Sequence, residues 1–145
     1  MVLDQAIVRL TPEVAGDLAY WMGEGKPGDV PDSYWQEGAI TPVWMGRGLD
    51  HVQTSILDLA GQHMNRFDYV FLSRELVETL RKRCEVVLEH RRMAPAVMPV
   101  GTPFFGGDET YADTYFEGVE EFSAALDILL AEWDPDATYA YWAWW

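Results

Sequence analysis

Hydrophobic residues recur along the chain with two periods, and the switches between them divide it into strands and helices. Residues 2–10 carry Ile7, Val8 and Leu10 and predict a strand. Thr11-Pro12-Glu13 then forms a helix start: Thr can cap, Pro suits the first helical position, and Glu favours the positive helix end. Val14, Leu18, Trp21 and Met22 share the face that follows. Residues 23–31 are a loop, and bulky Tyr34, Trp35, Ile40, Val43 and Trp44 suggest a short strand and turns over 33–45. Leu49, Val52, Ile56, Leu59 and Ala60 fall on one face of a helix over 49–63. Residues 67–72 are β-prone with apolar side chains on both faces, which predicts an inner strand.

Ser73 caps a helix expected over 74–92, with Leu76, Leu80, Cys84, Val87 and Leu88 as its apolar stripe. Its charges suggest four-residue pairs, Glu78–Lys82 and Arg81–Glu85, and a self-neutralised solvent face. His90, Arg91 and Arg92 fall where cations favour the negative helix end. A Pro-rich loop over 93–107 follows, with 97–100 as a short extended edge segment. Asp108 can cap a long helix running to about Trp133, with Tyr115, Val119, Phe122, Leu126, Leu129 and Trp133 along one side. The β-prone tail, 138–145, is too apolar to leave exposed and is expected to pair inside the sheet. Together these elements predict one α+β globular domain over 1–145: a small, mainly antiparallel sheet with three or four helices packed on it.

Charge changes this picture. The net charge of −14 is divided unevenly. Residues 93–145 carry ten Asp or Glu with no Lys, Arg or His, and twelve of the twenty aromatic residues. Nucleic acids and anionic membranes attract basic footprints, so both are disfavoured as partners. A basic protein, a metal ion or a cationic small molecule fits the charge better. The lone Cys84 allows no intramolecular disulfide and sits in an apolar stripe, as a buried inert thiol would. No export signal or membrane-length apolar stretch is evident, which places the expectation in a reducing cytoplasm. Two lysines against eight arginines, with much Ala, Gly and Trp, point weakly to a bacterium or its phage.

Candidate chemistry is sparse. Gly23-Glu24-Gly25-Lys26-Pro27-Gly28 formally fits a dinucleotide fingerprint, but it follows a helix and contains a proline, so the nucleotide reading fails. His51, Ser55 and Asp58 share a helix face, yet three residues along one helix do not resemble a triad built from separate elements; an ordinary polar surface is the expectation. His63 and His90 are isolated, and no sequence motif for a metal, cofactor or catalytic nucleophile appears. Trp21 and Trp133 are expected in the core, and an aromatic cage beside an acid is the alternative use of the other tryptophans.

The remaining candidate is the acidic helix face. Glu109, Asp113 and Glu117 stand four apart, with Glu120 and Glu121 one turn on. Like charges at that spacing cost a few tenths of a kcal/mol each. A solvated face is the plain reading, and a docking surface for a cationic protein is the functional one, with Phe104 and Phe105 of the preceding loop as anchors. The expected function is that of an inhibitor or immunity-type protein that occludes a basic enzyme, such as a nucleic-acid-acting toxin. The alternatives are a small-molecule binder or minor enzyme with an aromatic-lined carboxylate pocket, and a subunit that self-associates through its aromatic tail.

Overall fold

The computed structural model describes residues 3–16, 38–62, 69–100 and 111–144. Among these residues four strands form one antiparallel sheet: β1 (Asp4–Leu10), β2 (Ile40–Arg47), β3 (Tyr69–Leu72) and β4 (Thr138–Trp144), in the order β2-β1-β4-β3. Helices α1 (Asp50–Ala60), α2 (Arg74–Glu89), α3 (Ala94–Val97) and α4 (Asp113–Ala131) complete the α+β fold, with a 3-10 turn at Arg91–Met93. Residues 12–16 are also helical, as the Thr-Pro-Glu start predicts. Trp21, Trp35 and the expected apolar face beyond residue 16 lie outside the described residues.

The first and last described strands, β1 and β4, meet at the centre of the sheet. β4 pairs with β1 on one side, Gln5 opposite Ala143 and Ile7 opposite Tyr141, and with β3 on the other. This is the internal position expected for so apolar a tail. β2 is an edge strand, where Pro42 removes no needed ladder hydrogen bond. Ile7 faces Trp44 while Val8 faces Pro42, so β2 accommodates one extra residue as a bulge.

Alternation sorts the strand side chains onto two buried faces. Ile7, Val70, Leu72, Tyr139, Tyr141 and Ala143 join the core beneath the helices. Ala6, Val8, Leu10, Tyr69 and Ala140 join a second cluster with Val14 and Ile40. The inner-strand expectation for 67–72 is therefore corrected over its described part: among the described residues β3 pairs on one side only and stands at an edge, while residues 67–68 lie outside them. Apolar residues on both sides of a strand report that both faces are covered. They do not report whether both hydrogen-bonding edges are paired.

α2 begins as expected, with Ser73 Oγ accepting from the Leu76 backbone N–H at 3.1 Å. It ends at Glu89 rather than Arg92. The expected loop after it is partly helical. Pro95 lies in the first turn of α3, a position where its missing N–H costs nothing, so 97–100 does not form an extended edge segment. The expected Arg81–Glu85 pairing gives way to a bridge from Arg81 to Asp127 of α4, and Arg83 reaches Asp58 of α1 at 3.0 Å. Glu78 pairs with Arg74 at 3.2 Å. The basic face of α2 thus ties helices together in addition to meeting solvent.

α4 supplies the widest apolar stripe. Tyr115, Val119, Phe122, Leu126 and Leu129 are buried, and Trp133 just past its end is half-buried against Tyr139, ring centroids 4.2 Å apart. Phe122 meets the edge of Trp44 at 4.8 Å, which couples α4 to the edge strand β2. The helix starts later than expected: residues 111–112 are not helical, and Ala112 occupies the cap position instead of Asp108. Asp108 itself lies outside the described residues.

Candidate functional site

Two groups of polar residues carry the candidate chemistry, and they have opposite environments. The first is the outer face of α4. At about 100° per residue, Asp113, Glu117, Glu121, Ala124 and Ile128 form one row, with Glu120 beside it. All six are exposed. Asp113 to Glu121 spans about 12 Å at the helical rise. Among the described residues, no ion pair involves Asp113, Glu117, Glu120 or Glu121. Asp127, on the flank of the row, is taken up by Arg81. The structure thus places four of the seven expected partner-binding residues together on an open surface. Glu109, Phe104 and Phe105 lie outside the described residues.

Ile128 was not anticipated. It is 60% exposed, two turns beyond Glu121 on the same row. An apolar side chain on a polar helix face interrupts the apolar spacing of the inner stripe, and that out-of-phase position is the signal by which sequence reasoning could have found it.

The second group lies at the start of α1, and here the surface expectation is corrected. Asp50, His51, Gln53 and Ser55 are buried, and only Asp58 of the His51–Ser55–Asp58 set is exposed. Gln5 on β1 explains the docking. Its amide donates to the Leu49 carbonyl at 3.0 Å and to Tyr141 Oη at 2.7 Å, and its oxygen accepts from the Leu49 N–H at 3.0 Å. Tyr141 in turn donates to Gln53 Oε1 at 3.0 Å. This buried relay pins the helix entrance to the sheet and draws the polar residues of its first turns inward. Gly118 of α4 permits the close approach: a Cβ there would stand 2.8 Å from the Leu49 side chain and 3.7 Å from His51.

Burial sets the electrostatics of this group. Desolvation raises the Asp50 carboxyl above the usual carboxylate range, despite its place in the first turn of a helix, where the dipole favours an anion. Desolvation also lowers His51 to about 4, so its imidazole is neutral at pH 7. The His51 ring lies 4.4 Å from that of Tyr115, and its Nε2 has no hydrogen-bond partner among the described residues. The Asp50 oxygens and Ser55 Oγ are in the same condition. Neutral His51 and a carboxyl with raised proton affinity could exchange protons with a bound polar molecule, but no nucleophile is aligned with either among the described contacts.

Cys84 is fully buried and burial pushes its thiol up to about 12, the state expected of an inert core cysteine. Trp142 stacks on Tyr69 with ring centroids 5.4 Å apart. Arg91 lies 4.4 Å above the Phe116 ring, a cation–π contact that holds the turn after α2 against α4. Among the described residues no cluster of three or more His, Cys, Asp or Glu could hold a metal ion, and no helix is long and apolar enough to cross a membrane.

The class defined by these features is an α+β protein with a four-stranded antiparallel sheet and an uncovered acidic helix face. Comparisons with protein families, with characterised sequences and with solved structures find no match.

Proposed function

We propose that the chain is an acidic interaction module that docks on a basic protein through the outer face of α4. One observation carries the reading: Asp113, Glu117, Glu120 and Glu121 project from a single helix face, all exposed, with no ion pair among the described residues. The nearby Asp127 shows what this fold does with an acid it neutralises internally, because Arg81 reaches across from α2 to meet it. Complementary charge on a partner would speed encounter and fix orientation, and exposed Ile128 would supply an apolar anchor beside the acids. Occlusion of a basic active surface, as by an inhibitor or immunity-type protein acting on a nucleic-acid-cleaving toxin, is the mode of action this surface suits.

The test is capture from the source cells on immobilised protein, at low and high salt, with quantitative mass spectrometry. A stoichiometric partner with a basic surface, retained at low salt and released as salt rises, is the expected result. Salt-insensitive capture of an acidic or neutral partner would overturn the charge-based mechanism.

A further inference from the structure

A cavity of about 430 Å³ opens between α1, α2 and α3, and no described residue of α4 lines it. Thr54, Ser55 and Asp58 line it from α1, Arg83 from α2, and Ala96, Val97 and Pro99 from α3 and the residues just after it. Its two ends differ in chemistry. One is the Arg83–Asp58 ion pair, Nη2 to Oδ2 at 3.0 Å. The other is aliphatic. Ser55 belongs to the lining, is fully buried, and its hydroxyl has no hydrogen-bond partner among the described residues.

The ion pair ties α1 to α2 but is not closed off from solvent. The Asp58 side chain is 66% exposed and that of Arg83 26% exposed. Arg83 uses one of its five N–H groups on Asp58, and Asp58 uses one oxygen, so both retain capacity toward the cavity.

The charge pattern selects the ligand. A simple anion attracted to Arg83 would meet the Asp58 carboxylate and the field of a chain carrying −14. A simple cation attracted to Asp58 would meet the guanidinium. A ligand that carries both charges close together satisfies both. Charges 3.0 Å apart match a carboxylate and an ammonium borne on one carbon. We propose that this cavity binds a free α-amino acid with an apolar side chain. Its carboxylate lies on Arg83, its ammonium on Asp58, and its side chain against Val97 and Pro99, with Thr54 beside the polar end. The site is independent of the acidic face, and either can fail without the other.

The experiment uses the full chain and amide NMR titration with L-leucine, 4-methylpentanoate and isoamylamine as probes. These share an aliphatic group and carry both charges, the negative alone and the positive alone. L-Leucine is expected to give saturable shifts at Thr54, Ser55, Arg83 and Val97. Each single-charge analogue should bind about tenfold or more weakly, because it leaves one member of the pair without its counterpart. Arg83→Gln and Asp58→Asn should each abolish the preference for leucine over one analogue. An Ala96→Phe variant, which fills the aliphatic end and retains the ion pair, should lose leucine binding while its remaining spectrum stays folded. Absence of saturable shifts with leucine, equal binding of all three probes, or shifts located elsewhere would each overturn the proposal.

Discussion

Helices α1 and α4 both carry a group of polar residues, yet the group in the first turns of α1 is buried and the row on α4 is open. Their difference lies in what surrounds each helix. α4 lays its inner stripe on the sheet core and leaves the opposite half in solvent. α1 meets the sheet through Gln5 at its entrance, the N-terminal part of α4 through His51 on Tyr115, and α2 through Arg83 on Asp58 in its last turn. Contact from three sides buries polar positions along with Val52 and Ile56. The lesson is that an apolar stripe tells which side of a helix must be buried. It does not tell how far round the burial extends.

The largest expected effect sets the inner face of α4 against its outer face. Phe122→Ala should cost about 3–5 kcal/mol in chemical denaturation, because it removes a fully buried ring and its contact with Trp44. A loss below about 1 kcal/mol would mean that the stripe is not packed as described. On α1, Gln5→Ala should cost about 1–3 kcal/mol, since it strands the Leu49 N–H and removes the donor to the Tyr141 hydroxyl, which keeps its bond to Gln53. A near-neutral result would show that the helix entrance is held by other means.

The same contrast predicts a pH dependence. His51 is lowered from about 6.5 to about 4 on folding, so its contribution is present above pH 6.5 and is lost as pH falls through 4. The full loss is about 3 kcal/mol. Asp50, raised by burial, acts in the opposite sense and regains stability as it protonates. The comparison that isolates His51 is the stability of wild type against His51→Gln across pH 7 to 4. Wild type should lose more stability over that window than the variant, and parallel profiles would contradict the buried neutral imidazole. The smallest effect belongs to the open row: Glu117→Ala and Glu121→Ala should each change stability by less than about 0.5 kcal/mol.

Much of the fold was legible from periodicity. The α4 stripe, the Ser73 cap, the Cys84 environment and the internal tail strand each followed from residue spacing or hydrophobicity. The elements misjudged share a cause, which is that long-range partners override local signals. Arg81 prefers Asp127 on another helix to Glu85 on its own, and β3 is apolar on both faces while standing at an edge. Four members of the acidic face were legible because charges without a local partner tend to reach solvent. The buried polar group of α1 was not, because its burial depends on Gln5, forty-four residues from Leu49.

The most direct test of the account is charge reversal on the open row, Glu117→Lys with Glu121→Lys, measured as association rate with the captured partner over a range of ionic strength. The account predicts a variant as stable as wild type to within about 1 kcal/mol, with association slowed at least about tenfold at low salt and a flattened salt dependence. Unchanged association and an unchanged salt slope would show that the acidic face of α4 takes no part in binding.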